Sequence, residues 1–209
     1  MTKVLAGITM SLDGYITGPN DRPGVGLGED GERLHYWVFG GPWTYEGERG
    51  TAAAPDRAYM EETFSSGGAM ICGRTMYEAA RGWGEDPGFG MPMFVVTHRA
   101  HERIVKGDTS FDFVTGGIDE ALAEASAAAG GRNVILMGGG DVLRQFLAAG
   151  HVDELTLTIA PVLMGAGKRL FYGISRTDID FERIGVIESP YATHLRFRVS
   201  AAAATAACP

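Results

Sequence analysis

The chain has 209 residues, of which 45% are hydrophobic, and a formal net charge of −8. This length and apolar content suit one compact domain with a sizeable core. The acidic balance argues against nucleic acid and anionic membranes as partners, because both carry negative charge. No apolar segment approaches the roughly 18 residues of a membrane span, and the two cysteines have neither zinc nor disulfide spacing. We therefore expect a cytoplasmic protein without a metal site.

Residues 4–10 are apolar and β-branched, and they predict a central first strand. A long irregular stretch, 19–55, follows and contains aromatic clusters around Trp37 and Trp43. A loop of this length is usually functional or disordered, and its aromatic content argues against simple disorder. We predict that it lies over a binding pocket as a lid or wall, or forms an oligomer contact, with a short helix near 32–38.

The middle of the chain alternates helical and strand patterns. Strands that are joined through helices pair in parallel and place helices on both faces of the sheet. We therefore expect helices between the early strands, and we expect Gly67 and Gly68 to end the first long helix. The predicted helices are 56–65, 75–80 and 118–129, and the predicted strands are 69–72, 92–97, 111–114, 133–137 and 152–163.

Two C-terminal segments, 181–187 and 193–199, predict strands with no helix between them. They should add an antiparallel edge to the sheet. The whole pattern predicts an α/β fold with three layers: a mostly parallel central sheet, antiparallel C-terminal edge strands and helices on both faces. We expect a single domain over residues 1–200 and a disordered tail over 201–209, which is low in complexity.

The segment 133–147 combines a buried strand, a glycine turn and a helix start. Its apolar run stops at three glycines, 138–140, and a one-sided helical pattern follows. Glycines let a ligand approach the backbone, and the positive helix end with its free N–H groups favours a phosphate. Taken alone, the segment leaves two alternatives open, a phosphate site or a tight turn without a ligand.

Ligands in an open α/β sheet bind outside the carboxyl ends of the parallel strands. Glycines or polar residues fall at several of these predicted ends, and two of the ends carry an arginine. A guanidinium binds phosphate oxygens, so the combination predicts a nucleotide with more than one phosphate group; the alternative is a set of ordinary turns. The segments at these ends are Asp13-Gly14, Gly73-Arg74-Thr75, Thr97-His98-Arg99 and Gly138-Gly139-Gly140.

Several motifs resemble those of the dihydrofolate reductase superfamily. Their order and spacing over about residues 3–199 are most similar to the branch that contains the reductase domain of riboflavin biosynthesis. The resemblance implies a dihydrofolate reductase-like fold and hydride transfer from NADPH to a small heterocyclic acceptor, pterin-like or pyrimidine-like. It also implies a homodimer through the C-terminal strands. The segments that carry the resemblance are 11–16, 73–78, 95–98, 137–140, 153–157 and 161–171.

The resemblance implies a set of residues that hold NADPH. Arg74 would lie near the adenosine 2′-phosphate. Thr97, His98 and Arg99, at the end of the predicted strand 92–97, would hold the adenosine and its phosphate. For Arg74 and Arg99 the alternative is a solvated surface charge. The implied residues are Ile8, Thr9, Ile16, Gly73, Arg74, Thr75, Met76, Thr97, His98, Arg99, Gly138, Gly139, Gly140, Asp141 and Val142.

Hydride transfer also requires a group that protonates or polarises the acceptor. The resemblance implies Asp56, with one extra residue in the spacing that folate reductases use; the alternative is a helix N-cap or first-turn acid. Asp13 is the second candidate, and its alternative is a turn-forming residue beside Gly14. The longer first loop and the lack of a Trp-x-x-Pro-Ala-Asp pattern argue against dihydrofolate as the acceptor.

The histidines have no metal-ligand spacing. We expect His35, His101, His151 and His194 on the surface. Two further hypotheses compete with a reductase. The chain could bind NADP(H) with the same fold but turn over neither folates nor riboflavin precursors, or it could be an oligomeric scaffold whose glycines are structural.

Overall fold

The computed structural model describes residues 2–174 and 179–201. These residues form a nine-stranded sheet with helices on both faces. The predicted α/β architecture is confirmed, with a mostly parallel sheet and antiparallel C-terminal strands. The predicted tail lies outside the described residues, except for Ala201, which ends the last strand. Among the described helices, none is long and apolar enough to cross a membrane.

The elements follow the predicted order, and most predicted bounds agree within two residues. The strands are β1 Val4–Ser11, β2 Gly67–Gly73, β3 Met93–Val96, β4 Ile104–Lys106, β5 Thr109–Val114, β6 Asn133–Gly138, β7 Glu154–Ala160, β8 Ile179–Glu188 and β9 Thr193–Ala201. The helices are α1 Tyr36–Phe39, α2 Ala54–Ser66, α3 Arg74–Ala79, α4 Ile118–Ala128 and α5 Gly140–Ala148, with 3-10 turns at Gly31–His35 and Arg81–Trp83. The strand order is β4-β5-β3-β2-β6-β1-β7-β9-β8.

One local prediction is wrong. No helix joins β3 to β5; instead β4 forms an antiparallel hairpin with β5, and its three residues are too few for a periodic pattern to predict it. Gly67 ends α2 as predicted, as its C-cap, and β2 begins at the same residue. A Cβ on Gly68 would lie 2.3 Å from the carbonyl oxygen of Ala129, so this glycine allows β2 to pass close to the end of α4.

The core has one layer on each face of the sheet. α4 and α5 pack with side chains such as Ile71 and Leu136 on one face, whereas α2 and α3 pack with Met70 and Ile135 on the other. All seven residues of β2 are buried, as expected for a central parallel strand that is covered on both faces. Cys72 is also buried, which raises the pKa of its thiol and keeps it protonated.

The sheet contains a point where neighbouring connections diverge. β2 and β6 are adjacent and parallel, but the chain continues from β2 towards β3 and from β6 towards β7, on opposite sides. The loops that leave these two strands therefore separate and leave a crevice between them. Ligands of open α/β sheets bind at crevices of this kind.

Candidate active site

A cavity of about 1290 Å³ opens at the carboxyl ends of the parallel strands. Its wall includes residues at and after the ends of β2, β3 and β6, namely Gly73–Met76, Thr97 and His98, and Gly139–Val142. Pockets for drug-sized ligands occupy roughly 300–1,000 Å³. This cavity therefore has room for a dinucleotide together with a second small ring.

Gly73, the last residue of β2, and the glycine turn after β6 meet in this cavity. Gly138 and Gly139 have φ angles of 103° and 80°, which side chains with a Cβ rarely adopt. A Cβ on Gly139 would lie 3.7 Å from the backbone nitrogen of Gly73, so one ligand can contact both main chains. α5 begins at Gly140, and its free N–H groups and positive end favour a phosphate at this position.

Most of the predicted cofactor residues line this one cavity, although they come from distant parts of the chain. Arg99 and Gly138 are the exceptions. The assignment of the others to NADPH stays a prediction. The predicted residues that line the cavity are Ile8, Thr9, Ile16, Gly73, Arg74, Thr75, Met76, Thr97, His98, Gly139, Gly140, Asp141 and Val142.

Arg74, the first residue of α3, is paired with Glu78 on the next helical turn. Its Nη1 donates to both carboxylate oxygens, at 2.7 and 2.8 Å, and the side chains of the pair are 38% and 41% exposed. Such helical pairs contribute only about 0.3–0.5 kcal/mol, so a phosphate dianion can compete with Glu78 for the guanidinium. Arg99, in contrast, is exposed outside the cavity wall, and its N–H donates to Thr97 Oγ1 at 3.1 Å.

The long loop 19–55 forms one wall of the cavity. Hydrogen bonds fix its aromatic residues, because Trp43 Nε1 donates to the carbonyl of Glu32 at 2.9 Å and the Tyr45 hydroxyl accepts the Leu27 N–H at 2.8 Å. This wall is therefore an ordered aromatic surface that suits a flat ring. The aromatic residues of the loop that line the cavity are Trp37, Phe39, Trp43 and Tyr45.

The sheet face beneath α2 carries hydroxyl groups into the same cavity. Thr9 on β1 accepts a hydrogen bond from Trp37 Nε1 at 3.1 Å. Burial raises the pKa of the Tyr59 hydroxyl on α2, so Tyr59 stays protonated at neutral pH. Thr158 on β7 lines the cavity as well, although it is only 2% exposed. Hydroxyls between aromatic rings suit a heterocycle with a hydrogen-bonding edge.

Asp56 lies behind this surface and does not line the cavity. Its side chain is fully buried in the first turn of α2, and its Oδ1 lies 2.8 Å from His194 Nε2. The other ring nitrogen, His194 Nδ1, lies 2.8 Å from Thr158 Oγ1. The N-cap of α2 is Ala53, without a side-chain capping bond, so the capping alternative for Asp56 is wrong and its first-turn position is correct. Its catalytic role stays a prediction.

Asp13 joins two loops and does not line the cavity. Its carboxylate accepts the N–H groups of Met164 and Gly165 at 3.1 and 2.8 Å, and it also accepts the Ser11 hydroxyl. The Ser11 bond above all, with the two amides, lowers the pKa of Asp13 to about 2 against the opposing effect of burial. The carboxyl is ionised at neutral pH and has no proton to donate, which matches the turn-forming alternative.

The surface prediction for His194 is wrong, because this residue is fully buried. In β9, Leu195 and Phe197 point to one face of the sheet and pack on the core. His194 and Arg196 point to the other face, which the sequence pattern identifies as polar. α2 and Trp37 cover that face at His194. The sequence contains little that predicts this burial. The one signal is Thr158, a polar residue on the neighbouring strand that pairs with His194 in register.

His35 also departs from the surface prediction. It is half-buried on the cavity wall, whereas His101 is exposed as expected. Desolvation by burial lowers the pKa of His35 to about 4, so the ring is neutral at physiological pH. Within the described residues, no group of three or more His, Cys, Asp or Glu side chains could hold a metal ion.

The mixed nine-stranded sheet, with its cavity where the β2 and β6 connections diverge, has the dihydrofolate reductase-like fold. Within that class, the chain belongs to the RibD C-terminal domain family, whose model matches residues 2–193. The resemblance to the riboflavin-biosynthesis branch is therefore confirmed. No curated protein matches the chain.

Solved structures agree with the fold. A riboflavin biosynthesis protein from Shewanella sp. PV-4 is 20% identical with a TM-score of 0.68, over 95% of this chain and 99% of that chain. A pyrimidine reductase-like protein from Corynebacterium diphtheriae is 16% identical with a TM-score of 0.60, over 95% and 92%. Dihydrofolate reductase from Enterococcus faecalis, complexed with NADP(H) and RAB-propyl, is 16% identical with a TM-score of 0.56, over 94% and 96%. At these identities the likeness concerns the fold alone.

Proposed function

We propose that this protein is an NADPH-dependent reductase that transfers a hydride to a small heterocyclic acceptor, pterin-like or pyrimidine-like. The observation that carries the proposal is the meeting of Gly73, which ends β2, with the glycine turn after β6 in one large cavity where the sheet connections diverge. Membership of the RibD C-terminal domain family supports it. The cytoplasmic location stays part of the proposal.

The cavity fits a dinucleotide at its glycine end. The pyrophosphate would lie between Gly73 and Gly139, where the main chains are open, and the N-terminus of α5 would stabilise its charge. Arg74 would release Glu78 and bind the 2′-phosphate. NADPH carries this phosphate and NADH lacks it. When bound, NADPH supplies the hydride. The protein orients the nicotinamide towards the acceptor and keeps water away from it.

The acceptor would lie at the other end of the cavity, between the loop aromatics and the floor of hydroxyl groups. Trp37 and Tyr59 provide ring faces, and the hydrogen bond of Trp37 to Thr9 fixes its orientation. A planar ring with nitrogen or carbonyl groups on its edge would satisfy both the apolar faces and the hydroxyls. This chemistry describes a pterin or a pyrimidine and not an aliphatic carbonyl compound.

The substitution Arg74→Ala tests the cofactor assignment. We expect NADPH binding to weaken about 10-fold to 100-fold, the usual range for a lost charged hydrogen bond, while NADH binding changes little. Thermal-shift titration of both nucleotides measures this, since a ligand at a hundred times its Kd adds about 2.7 kcal/mol of stability. The matched control is Arg57→Ala, which removes another i,i+4 pair, with Glu61, outside the cavity. Equal losses for NADPH and NADH would contradict the assignment.

A second candidate function is NADP(H) binding without reduction of a folate or a riboflavin precursor. The observation that favours it is the position of the predicted acids, because neither Asp13 nor Asp56 lines the cavity. It predicts a stabilising shift with NADPH but no NADPH oxidation with pterin or pyrimidine acceptors. Oxidation of NADPH with any of them would exclude it.

A further inference from the structure

Three buried polar side chains form a continuous hydrogen-bonded row from α2 to the cavity. Asp56 Oδ1 lies 2.8 Å from His194 Nε2, and His194 Nδ1 lies 2.8 Å from Thr158 Oγ1. Asp56 and His194 are fully buried, and Thr158 is 2% exposed but lines the cavity. The row links an acid that does not line the cavity to a residue of the cavity wall.

The hydrogen-bond directions in this row depend on which ring nitrogen of His194 carries a proton. With a proton on Nδ1, His194 donates to Thr158 Oγ1, which leaves the Thr158 hydroxyl proton free to point elsewhere. The geometry accommodates this arrangement, because one proton can lie between Asp56 Oδ1 and His194 Nε2 while Nδ1 carries a second.

Asp56 also has a buried oxygen, Oδ2, with no hydrogen-bond partner among the described residues. A second proton within the Asp56–His194 pair would lower the cost of leaving this buried oxygen without a partner. The rings of Trp37 and Tyr59 cover the imidazole, with centroids at 5.0 and 4.6 Å. Tyr59 is a titratable group that packs directly against it.

The nearest charged residue along β9 has carboxylate partners of its own. Arg196 lies on the same face as His194, two residues further along, and it is paired with Glu62 at 3.0 Å. It also approaches Glu154, at 3.9 Å. Its charge is therefore compensated by carboxylates of α2 and β7.

We propose that Asp56 and His194 orient Thr158 as a hydrogen-bond donor to the acceptor and return its proton during turnover. This inference deepens the proposed function and rests on it. Thr158 would be the catalytic residue, since it alone of the three lines the cavity, and Asp56 and His194 would be positioning residues. It requires an acceptor with a ring nitrogen or a carbonyl oxygen next to the carbon that is reduced.

Protons and electrons balance in the proposed reduction. With the hydride delivered from a reduced nicotinamide to the ring carbon, the adjacent nitrogen or oxygen forms a bond to the Thr158 proton. Thr158 Oγ1 then takes the proton from His194 Nδ1, and the buried pair is left with one negative charge. Water regains access to Thr158 when the product leaves, and the lost proton returns by the same route.

The protonation of His194 tests the inference without turnover. We would record the ¹⁵N NMR signals of the histidine ring nitrogens in the full-length protein at neutral pH. The expected result is a proton on His194 Nδ1, with a signal that moves in Thr158→Val and less in Thr158→Ser. The exposed His151–Asp119 pair, with 2.7 Å between Nε2 and Oδ1, is an internal reference. A bare His194 Nδ1 would overturn the inference.

Binding of pterin tests the donor role of Thr158. Loss of one hydrogen bond costs about 0.5–1.5 kcal/mol, so Thr158→Val should weaken pterin binding roughly 2-fold to 12-fold, and Thr158→Ser should restore it. Thr193→Val, which removes a hydroxyl next to His194 but outside the cavity, is the control. Equal pterin affinity in Thr158→Val and the unmodified protein would overturn the inference. NADPH binding is measured separately: its absence from the unmodified protein would contradict the reductase, while the His194 result still decides the row.

Discussion

His35 makes the stability of the protein depend on pH. Burial on the cavity wall lowers the pKa of the folded-state imidazole to about 4 from its ordinary 6.5. Between these two values the unfolded chain holds a proton that the folded protein does not, so the free energy of unfolding falls as the pH drops from 6.5 towards 4. Above pH 6.5 neither state is protonated at this residue, and its contribution no longer changes.

The substitution His35→Asn should remove this part of the pH dependence. We expect the unfolding free energy of the unmodified protein to fall by about 1–2 kcal/mol more than that of the variant between pH 7 and pH 4, after a discount for the partly exposed residue. Urea unfolding at several pH values measures the difference. The comparison at pH 8 gives the effect of lost packing alone. Parallel pH profiles would show that His35 is not the responsible group.

At the scale of one element, α5 has a glycine with positive φ at each end. Gly139 precedes its first turn with φ of 80°, and Gly150 follows its last turn with φ of 71°. A Cβ on Gly150 would meet nothing within 4 Å, whereas a Cβ on Gly139 would lie 3.9 Å from Met76 and 3.7 Å from Gly73, in the cavity wall. Both glycines have a positive φ angle, but only Gly139 lies in the cavity wall.

Replacing each of these glycines with alanine separates strain from ligand contact. We expect Gly139→Ala and Gly150→Ala each to lower the unfolding free energy by about 1 kcal/mol, because alanine is disfavoured at positive φ. Only Gly139→Ala should weaken NADPH binding, by at least about 10-fold, because its methyl group occupies the proposed pyrophosphate position. Isothermal titration and urea unfolding measure the two effects. Equal NADPH affinity for both variants would argue against a pyrophosphate at this turn.

At the scale of the whole molecule, β8 is an edge strand that exposes apolar side chains. Phe181, Ile184 and Val186 are 41%, 38% and 45% exposed. Edge strands with exposed apolar residues tend to pair with another chain unless charge or a covering segment prevents it. The homodimer that the family resemblance implies stays a prediction, and this surface is where we expect the second copy to bind.

Charge on β8 should therefore weaken self-association. We expect the unmodified protein to sediment as a dimer and Val186→Glu to shift it towards the monomer at the same concentration, because a buried carboxylate without a partner is disfavoured. Val105→Glu is the control, since Val105 is 67% exposed on β4 at the opposite edge of the sheet. Sedimentation equilibrium distinguishes the two. A monomeric unmodified protein would remove the basis for this prediction.

Local patterns were enough to predict most of the framework. The segment 133–147 carries its strand, its glycine turn and its helix within one short window, and the structure has β6, Gly139 and α5 in those positions. The same holds for β9, whose alternation places Leu195 and Phe197 on the core. Periodicity reports which side of an element is apolar, and main-chain geometry then follows from the residues themselves.

Tertiary structure decided the contacts that no single window contains. Asp56 and His194 are 138 residues apart and meet because α2 crosses the face of the sheet where β7 and β9 are paired. The alternation of β9 assigns His194 to a polar face, and only the position of α2 buries it there. The burial of a residue depends on what covers it, and the free energy of a charged side chain depends on that burial. The periodicity of a sequence shows only on which side of its own element a residue lies.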